Sequence, residues 1–368
     1  MIYFLVPRSQ DFGIQDYLKL YAPSLAARLE VLCYEDLPQR TSATSGTYIF
    51  SALDQLSAGG RRLTGELADQ LEQPGAASRV INHPARTLLR LELLDALHRE
   101  GLNRHRAVRA RDDLTDLRFP VFLREEFQHS GTLSPLLGTR AELDRELGRA
   151  VLRGFRLREL LVVEFCETAD ADGRYSKYAA FVVGSEIIAD GLVRGREWML
   201  KAERNELSEA MLLEERRYVL ENPHARKLGP IFDLAGVEYG RIDYAMREGR
   251  VETWEINLNP TIRRGRRPDF KRIPEALDRI KDVARQHFLG RFEASVRGLD
   301  SEGPPVPLRL AYSPGCLEAA VPMIRTGGPS GWLVPVARVL RPIVPLLDRM
   351  ARVFSPLVAR AARRFTAR

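Results

Sequence analysis

The chain has 368 residues and a mass of 41.7 kDa, is 29% charged and 45% hydrophobic, and carries a formal net charge of +7 with a pI near 9.4. That length supports two or three domains with cores of their own and excludes a small stapled scaffold. Three widely spaced cysteines, Cys33, Cys166 and Cys316, with no CxxC pair, exclude a disulfide framework and a cysteine zinc site and fit a reducing, cytoplasmic setting.

The basicity is local. Between Val336 and Arg368 there are eight arginines and one acid, Asp348, which accounts for the whole net charge and leaves residues 1–335 neutral. A basic body, the electrostatic footprint of nucleic-acid binding, is therefore absent and no nucleic-acid partner is expected. No run of about 18 uncharged apolar residues suggests a membrane-spanning helix. The apolar opening MIYFLVP lacks the basic flank and cleavage site of a signal peptide and reads as a buried first strand.

In chain order, residues 2–6, 29–34 and 46–50 are short apolar strand candidates, with a helix expected from Ile14 to Leu29, another from Leu63 to Leu71, and a strand at Arg79–Ile81. Strands alternating with helices imply a small parallel α/β layer. After INHP (Ile81–Pro84), a helix is expected from Ala85 to Glu100, with Arg86 and Arg90 on one face near its start. FPVFLRE (Phe119–Glu125) reads as a strand ending in Arg124, followed by a glycine-poor loop through His129 and Gly131. A helix is expected at Ala141–Leu152. LLVVEF (Leu160–Phe165) is an apolar strand interrupted by Glu164, a buried carboxylate that requires a partner.

Tyr178–Asp190 reads as a hairpin through Gly184-Ser185, flanked by Lys177 and Lys201, and Glu206–Glu221 as an amphipathic helix. Next comes YGRIDYAMREGRVETWEINLNP (Tyr239–Pro260), two strands joined by a turn at Arg247-Glu248-Gly249. Antiparallel pairing about that turn brings Asp243 near Glu255. Glu255 and Asn257, two apart, share a face. Two carboxylates and an amide oxygen on one face form a hard, oxygen-rich cluster suited to magnesium held together with a phosphate. TIRRGRRPDFKR follows, with Arg263 and Arg264 as either a solvated loop or a carboxylate-binding element, then a helix from Ile273 to Phe288.

Residues 300–331 are rich in proline and glycine and read as a linker. Beyond them VARVLRPIVPL, LDRMARVFSPL and VARAARRFTAR repeat at eleven residues, with Arg338, Arg349 and Arg360 in register. An eleven-residue step advances a helix by three turns plus about 20°, so the arginines form one stripe opposite an apolar one. Such a segment, broken into short helices by its prolines, could lie on an anionic membrane surface or dock on a protein.

The order INHP plus helix, FPVFLRE plus loop, LLVVEF, a hairpin, GRIDY and EINLNP resembles the ATP-grasp superfamily, including D-alanine:D-alanine ligases and ribosomal-protein glutamate ligases, over roughly residues 1–285. The resemblance implies an α/β fold of the α+β ATP-grasp kind. It would comprise a parallel α/β domain at 1–82 and a two-subdomain ATP-grasp domain at 83–290; composition and the repeat add, beyond the resemblance, a linker at 291–331 and a helical, basic amphipathic tail at 332–368. The resemblance implies ATP and Mg2+ as cofactors, with Asp243, Glu255 and Asn257 holding the metal and Arg241 steadying an acyl phosphate. Arg90, Arg124, Lys177 and Lys201 would meet the nucleotide phosphates, and Glu164, Phe165 and Cys166 the adenine. Arg263 and Arg264 would border the acceptor pocket.

The implied activity is ligation of a small-molecule or peptide carboxylate to an amine or thiol, at a cytoplasmic location that the tail could make peripheral to the inner face of the membrane. Departures from the pattern are Arg124 where a lysine is usual, alanine at Ala179 and Ala180 where an arginine is frequent, and the thin glycine content of the loop. They open the alternative of a catalytically inactive ATP-binding regulatory or scaffold protein.

Overall fold

A computed structural model describes residues 1–129, 131–200, 208–262, 274–300 and 303–325. These fall into two compact units, residues 1–89 with 168–325, and residues 90–167. Among the described residues no helix is long and apolar enough to cross a membrane.

The first stretch forms β1 (Ile2–Val6), α1 (Phe12–Leu20), β2 (Leu29–Cys33), β3 (Ser42–Thr44), β4 (Thr47–Phe50), α2 (Ala58–Leu71) and β5 (Arg79–Ile81). Four of these strands make a parallel sheet in the order β2-β1-β4-β5. Every residue of β1 is buried, as a parallel strand covered on both faces requires. The helix expected from Ile14 to Leu29 stops at Leu20. Pro23 cannot continue it, and a single 3-10 turn over Pro23–Leu25 takes its place. Helix α2 starts earlier than its leucines indicate, because Ser57 Oγ accepts the Gly60 N–H at 2.9 Å and caps it.

Residues 90–167 fold as α3 (Arg90–Arg99), β6 (Ala107–Arg109), β7 (Val121–Glu125), α4 (Arg140–Leu152) and β8 (Leu160–Glu164). The strands form an antiparallel sheet in the order β6-β8-β7. Thr139 and Glu142 cap α4 reciprocally, and Leu143, Leu147 and Ala150 of that helix bury against Val121, Leu123, Leu160 and Val162.

The remaining stretch contributes β9 (Tyr175–Val183), β10 (Glu186–Gly195), α5 (Glu209–Glu221), α6 (Ala225–Ala235), β11 (Tyr239–Arg247), β12 (Arg250–Asn257), α7 (Glu275–Arg297), β13 (Pro307–Arg309) and α8 (Pro314–Ala319). Its sheet is antiparallel, ordered β10-β9-β11-β12. The helix expected from Ala85 begins only at Arg90, since the turn before it is bonded elsewhere: Thr87 Oγ1 donates to Gly236 O and Leu88 N–H to Ala235 O, at the end of α6.

The expected boundary at residue 82 is not a boundary of packing. Phe4 of β1 meets Tyr239 of β11 edge-on at 5.3 Å, and Phe292 of α7 packs against Tyr17, Phe181 and Tyr239, so the parallel and antiparallel sheets share one core. Asn82, held at φ +58°, staples them: its Nδ2 donates to Phe50 O and Tyr239 O, and its Oδ1 accepts the N–H groups of Glu238 and Tyr239. All its bonding capacity is used, as a buried amide requires.

The stretch read as a linker is partly structured. Between residues 303 and 325 it supplies β13, paired with β3, and α8, laid on α2. Proline is tolerated on such an edge strand, so composition alone could not separate it from a linker.

Candidate metal and nucleotide site

The site is built on the β11–β12 hairpin. Glu248 and Gly249 both have positive φ, at 50° and 76°, so a two-residue turn pairs Arg247 with Arg250. Counting back evenly from that turn would set Asp243 opposite Trp254 and turn Glu255 to the other face. Instead Tyr244 pairs with Thr253 and Asp243 with Glu255, and Trp254 is the added residue of a bulge. The bulge is what puts Asp243, Glu255 and Asn257 on one face, and it does so with Asn257 opposite Arg241.

Cations meet this face directly. Arg241 Nε donates to Asp243 Oδ1 at 3.0 Å, and Lys177 Nζ, from β9, donates to Oδ2 at 3.1 Å. The Asp243 side chain is 8% exposed, that of Arg241 24% and that of Lys177 30%. Burial disfavours the charge on Arg241, but Asp243, Asp190 and Glu255 outweigh it and raise its pKa. Asp190 was missed in the sequence. It is buried on β10, where the register shifts between Ala189 and Gly191, so it is the added residue of a second bulge. An irregular register leaves no periodic signal by which to find such a residue.

Behind the site lies an aromatic layer. Tyr218 OH donates to Ala179 O at 3.0 Å, and Ala179 pairs with Asp243 across the sheet. Tyr244 OH lies 2.9 Å from Tyr218 OH and 2.8 Å from His224 Nδ1. Burial raises the pKa of both phenols and lowers that of His224, favouring the neutral form of each. At the open end of β12, Asn257 Oδ1 accepts the Asn259 N–H at 2.9 Å, and Asn259 Nδ2 donates to Gln10 O. Leu258 O accepts the N–H of Ala52, a left-handed residue past the end of β4. This face of the hairpin thus borders the carboxyl-end loops of the parallel sheet.

In the other unit the Glu164 carboxylate, at the end of β8, is buried between two arginines. Arg106 Nε donates at 3.0 Å, and Arg118 donates through Nε at 3.0 Å, Nη2 at 2.7 Å and its backbone N–H at 3.0 Å. Burial would raise its pKa, but the bonds from Arg118 and Arg106 prevail and lower it. The partner its burial demanded is therefore a pair of arginines. Phe165 N–H donates to Pro120 O, and Cys166 is buried. Arg124 is half-buried on β7.

Arg90, the first residue of α3, gives its Nη1 to the carbonyls of Glu125, Glu126 and Gln128. The glycine-poor loop after β7 is thus shaped around an arginine. Lys201, Arg263, Arg264 and the tail at 332–368 lie outside the described residues.

The donor set fits magnesium bound together with phosphate. Two carboxylates and an amide oxygen are hard ligands, and Lys177 and Arg241 beside them are anion partners.

No protein-family model and no curated protein sequence matches the chain. Solved structures of ligases are similar to it. The D-alanine–D-alanine ligase from Bacillus anthracis complexed with ATP is 12% identical, with a TM-score of 0.43 over 81% of this chain and 98% of that one. An ATP-grasp RimK domain protein from Sphaerobacter thermophilus is 14% identical, with a TM-score of 0.41 over 79% and 98%. The ATP-grasp ligase PsnB, complexed with a precursor variant, Mg and ADP, is 12% identical, with a TM-score of 0.44 over 81% and 96%.

Proposed function

We propose that the chain is an ATP- and magnesium-dependent ligase of the ATP-grasp type, joining a small-molecule or peptide carboxylate to an amine or thiol through an acyl phosphate. The observation that carries this reading is the convergence of Asp243, Glu255 and Asn257 on one sheet face beside Arg241 and Lys177. Asp243, Glu255 and Asn257 would hold magnesium, which when bound neutralises charge on the nucleotide phosphates. Arg241, fixed by Asp243 and half-buried, presents a preorientated cation to an acyl phosphate and to the oxyanion that follows it. Lys177 supplies a point charge for a phosphate oxygen.

For the other unit we propose, from the sequence resemblance, that Arg124 meets phosphate and that the backbone at Glu164, Phe165 and Cys166 reads adenine. The Glu164 side chain, engaged by Arg106 and Arg118, serves to hold that backbone. Arg90 then acts on phosphate through the loop it shapes. Lys201 as a phosphate ligand, Arg263 and Arg264 as substrate ligands, and the tail as a peripheral membrane contact rest on sequence alone. A cytoplasmic location belongs to the same proposal.

Calorimetry with Mg-ATP tests the metal assignment. Asp243→Ala and Glu255→Ala are each expected to weaken binding on the order of tenfold or more, and unchanged affinity in both removes it. A nucleotide-binding scaffold without turnover is the second reading, drawn from Ala179 and Ala180 opposite Asp243 and Ile242. Carboxylate-stimulated ADP release would count against it.

A further inference from the structure

We infer that Lys177 is a specificity-determining residue that makes the Asp243 site reject a bare divalent cation and accept the metal only as a metal–polyphosphate complex. The inference rests on the magnesium–nucleotide reading. Both oxygens of Asp243 are engaged by cations, Oδ1 by Arg241 at 3.0 Å and Oδ2 by Lys177 at 3.1 Å. A metal ion joining Asp243 must take one of these oxygens, and the two cations are not equally displaceable.

Arg241 is the fixed one. It sits two residues from Asp243 on the same strand, is the less exposed of the two, and also lies in the field of Asp190 and Glu255. Lys177 reaches across from the neighbouring strand, with a flexible four-carbon stem and a compact ammonium. The metal therefore competes with Lys177 for Oδ2.

The competition has opposite outcomes for the two forms of metal. A bare dication leaves the displaced ammonium beside a doubly charged ion without a compensating anion, which opposes binding. A metal carrying a polyphosphate brings acceptor oxygens with it, and the ammonium moves from Asp243 to one of them without losing a charged partner. Lys177 thus opposes the first and favours the second. A single charge within about 4–6 Å of a carboxylate shifts its ionic equilibrium by about one to three decades. A like charge beside the metal acts with the opposite sign, so the effect is on the order of tenfold or more.

The test measures Mn2+ binding to the full chain without nucleotide, from the free-ion electron paramagnetic resonance signal, beside calorimetry with Mn-ATP. The variants are Lys177→Met, Lys177→Arg and the double change Lys177→Met with Asp243→Asn. Expected are at least tenfold tighter Mn2+ binding in Lys177→Met, with weaker Mn-ATP binding. Lys177→Arg should stay near the parent, and the double variant should lose the gain.

Melting temperatures close to the parent show that the folds are comparable. Unchanged Mn2+ affinity in Lys177→Met, with Mn-ATP still bound by the parent, overturns this inference and leaves the metal–nucleotide reading standing. No Mn-ATP binding by the parent and no Mn2+ binding by Lys177→Met overturns both.

Discussion

Glu164 shows how a single residue carries both a legible and an illegible part. That a carboxylate inside LLVVEF needs a partner follows from the cost of burying an unpaired charge. That the partners are Arg106 and Arg118 does not, because they sit 58 and 46 residues away on segments with no periodic signal. Since both arginines are partly exposed, Glu164→Gln is expected to destabilise by about 1–3 kcal/mol at neutral pH, read from urea unfolding.

The pH dependence has a definite sign. The folded-state pKa of Glu164 is lowered, so its contribution is present above the ordinary value of about 4.3 and is lost as pH falls through the lowered one. The stability gap between the parent and Glu164→Gln should therefore close in acid. A gap that is independent of pH would show that the carboxylate charge is not what stabilises. That Asp243, Glu255 and Asn257 lie on one hairpin was read from the sequence, but the bulge that gathers them on one face was not, and Asp190, in a second bulge, was missed.

At the scale of elements, the even alternation of Ile242, Tyr244 and Met246 marks β11, and Glu248-Gly249 marks the turn. The count from that turn is nevertheless off by one at the site, and Trp254 corrects it. Deleting Trp254 removes the added residue and should leave a regular hairpin in which Asp243 still pairs with Glu255 and Arg241 with Asn257. Mg-ATP binding by calorimetry should then stay within about tenfold of the parent. A larger loss would mean that the bulge itself, and not the pairing it restores, builds the site.

Helix α6 escaped notice because Gly229 and Pro230 interrupt it. Helix α2 offers a paired test. A Cβ on Gly59 would fall 1.6 Å from Ala319 O, whereas one on Gly65 meets nothing within 4 Å. Gly65→Ala should therefore stabilise by about 0.5–1 kcal/mol, and Gly59→Ala should destabilise by about 1–3 kcal/mol. Thermal melting of both variants decides, and shifts of the same sign would contradict the close approach of the 319–323 backbone.

For the whole molecule, the alternation of strands and helices before residue 82 indicated a parallel sheet, and the later hairpins an antiparallel one. Their common core was not legible, since Phe4, Tyr239 and Phe292 are linked only by the fold. Charge also acts at this scale. Eight of the 56 basic and one of the 49 acidic residues lie beyond Gly331, so a chain ending there is balanced at 48 of each. Sedimentation with vesicles containing anionic lipid should pellet the full chain and not the shortened one, and less so as salt rises. Equal pelleting would end the membrane reading of the tail.

The pairing of β13 with β3, and the backbone of residues 319–325 on α2, have a consequence for synthesis. Residues 90–167 are one continuous stretch, complete as soon as they leave the ribosome. The unit that surrounds them in the chain must hold its first 89 residues open until residue 325 has emerged. Contacts of such long separation form slowly. The inserted unit is thus free to fold first, and the half that carries Asp243 closes last, around segments that have waited for almost the whole described chain.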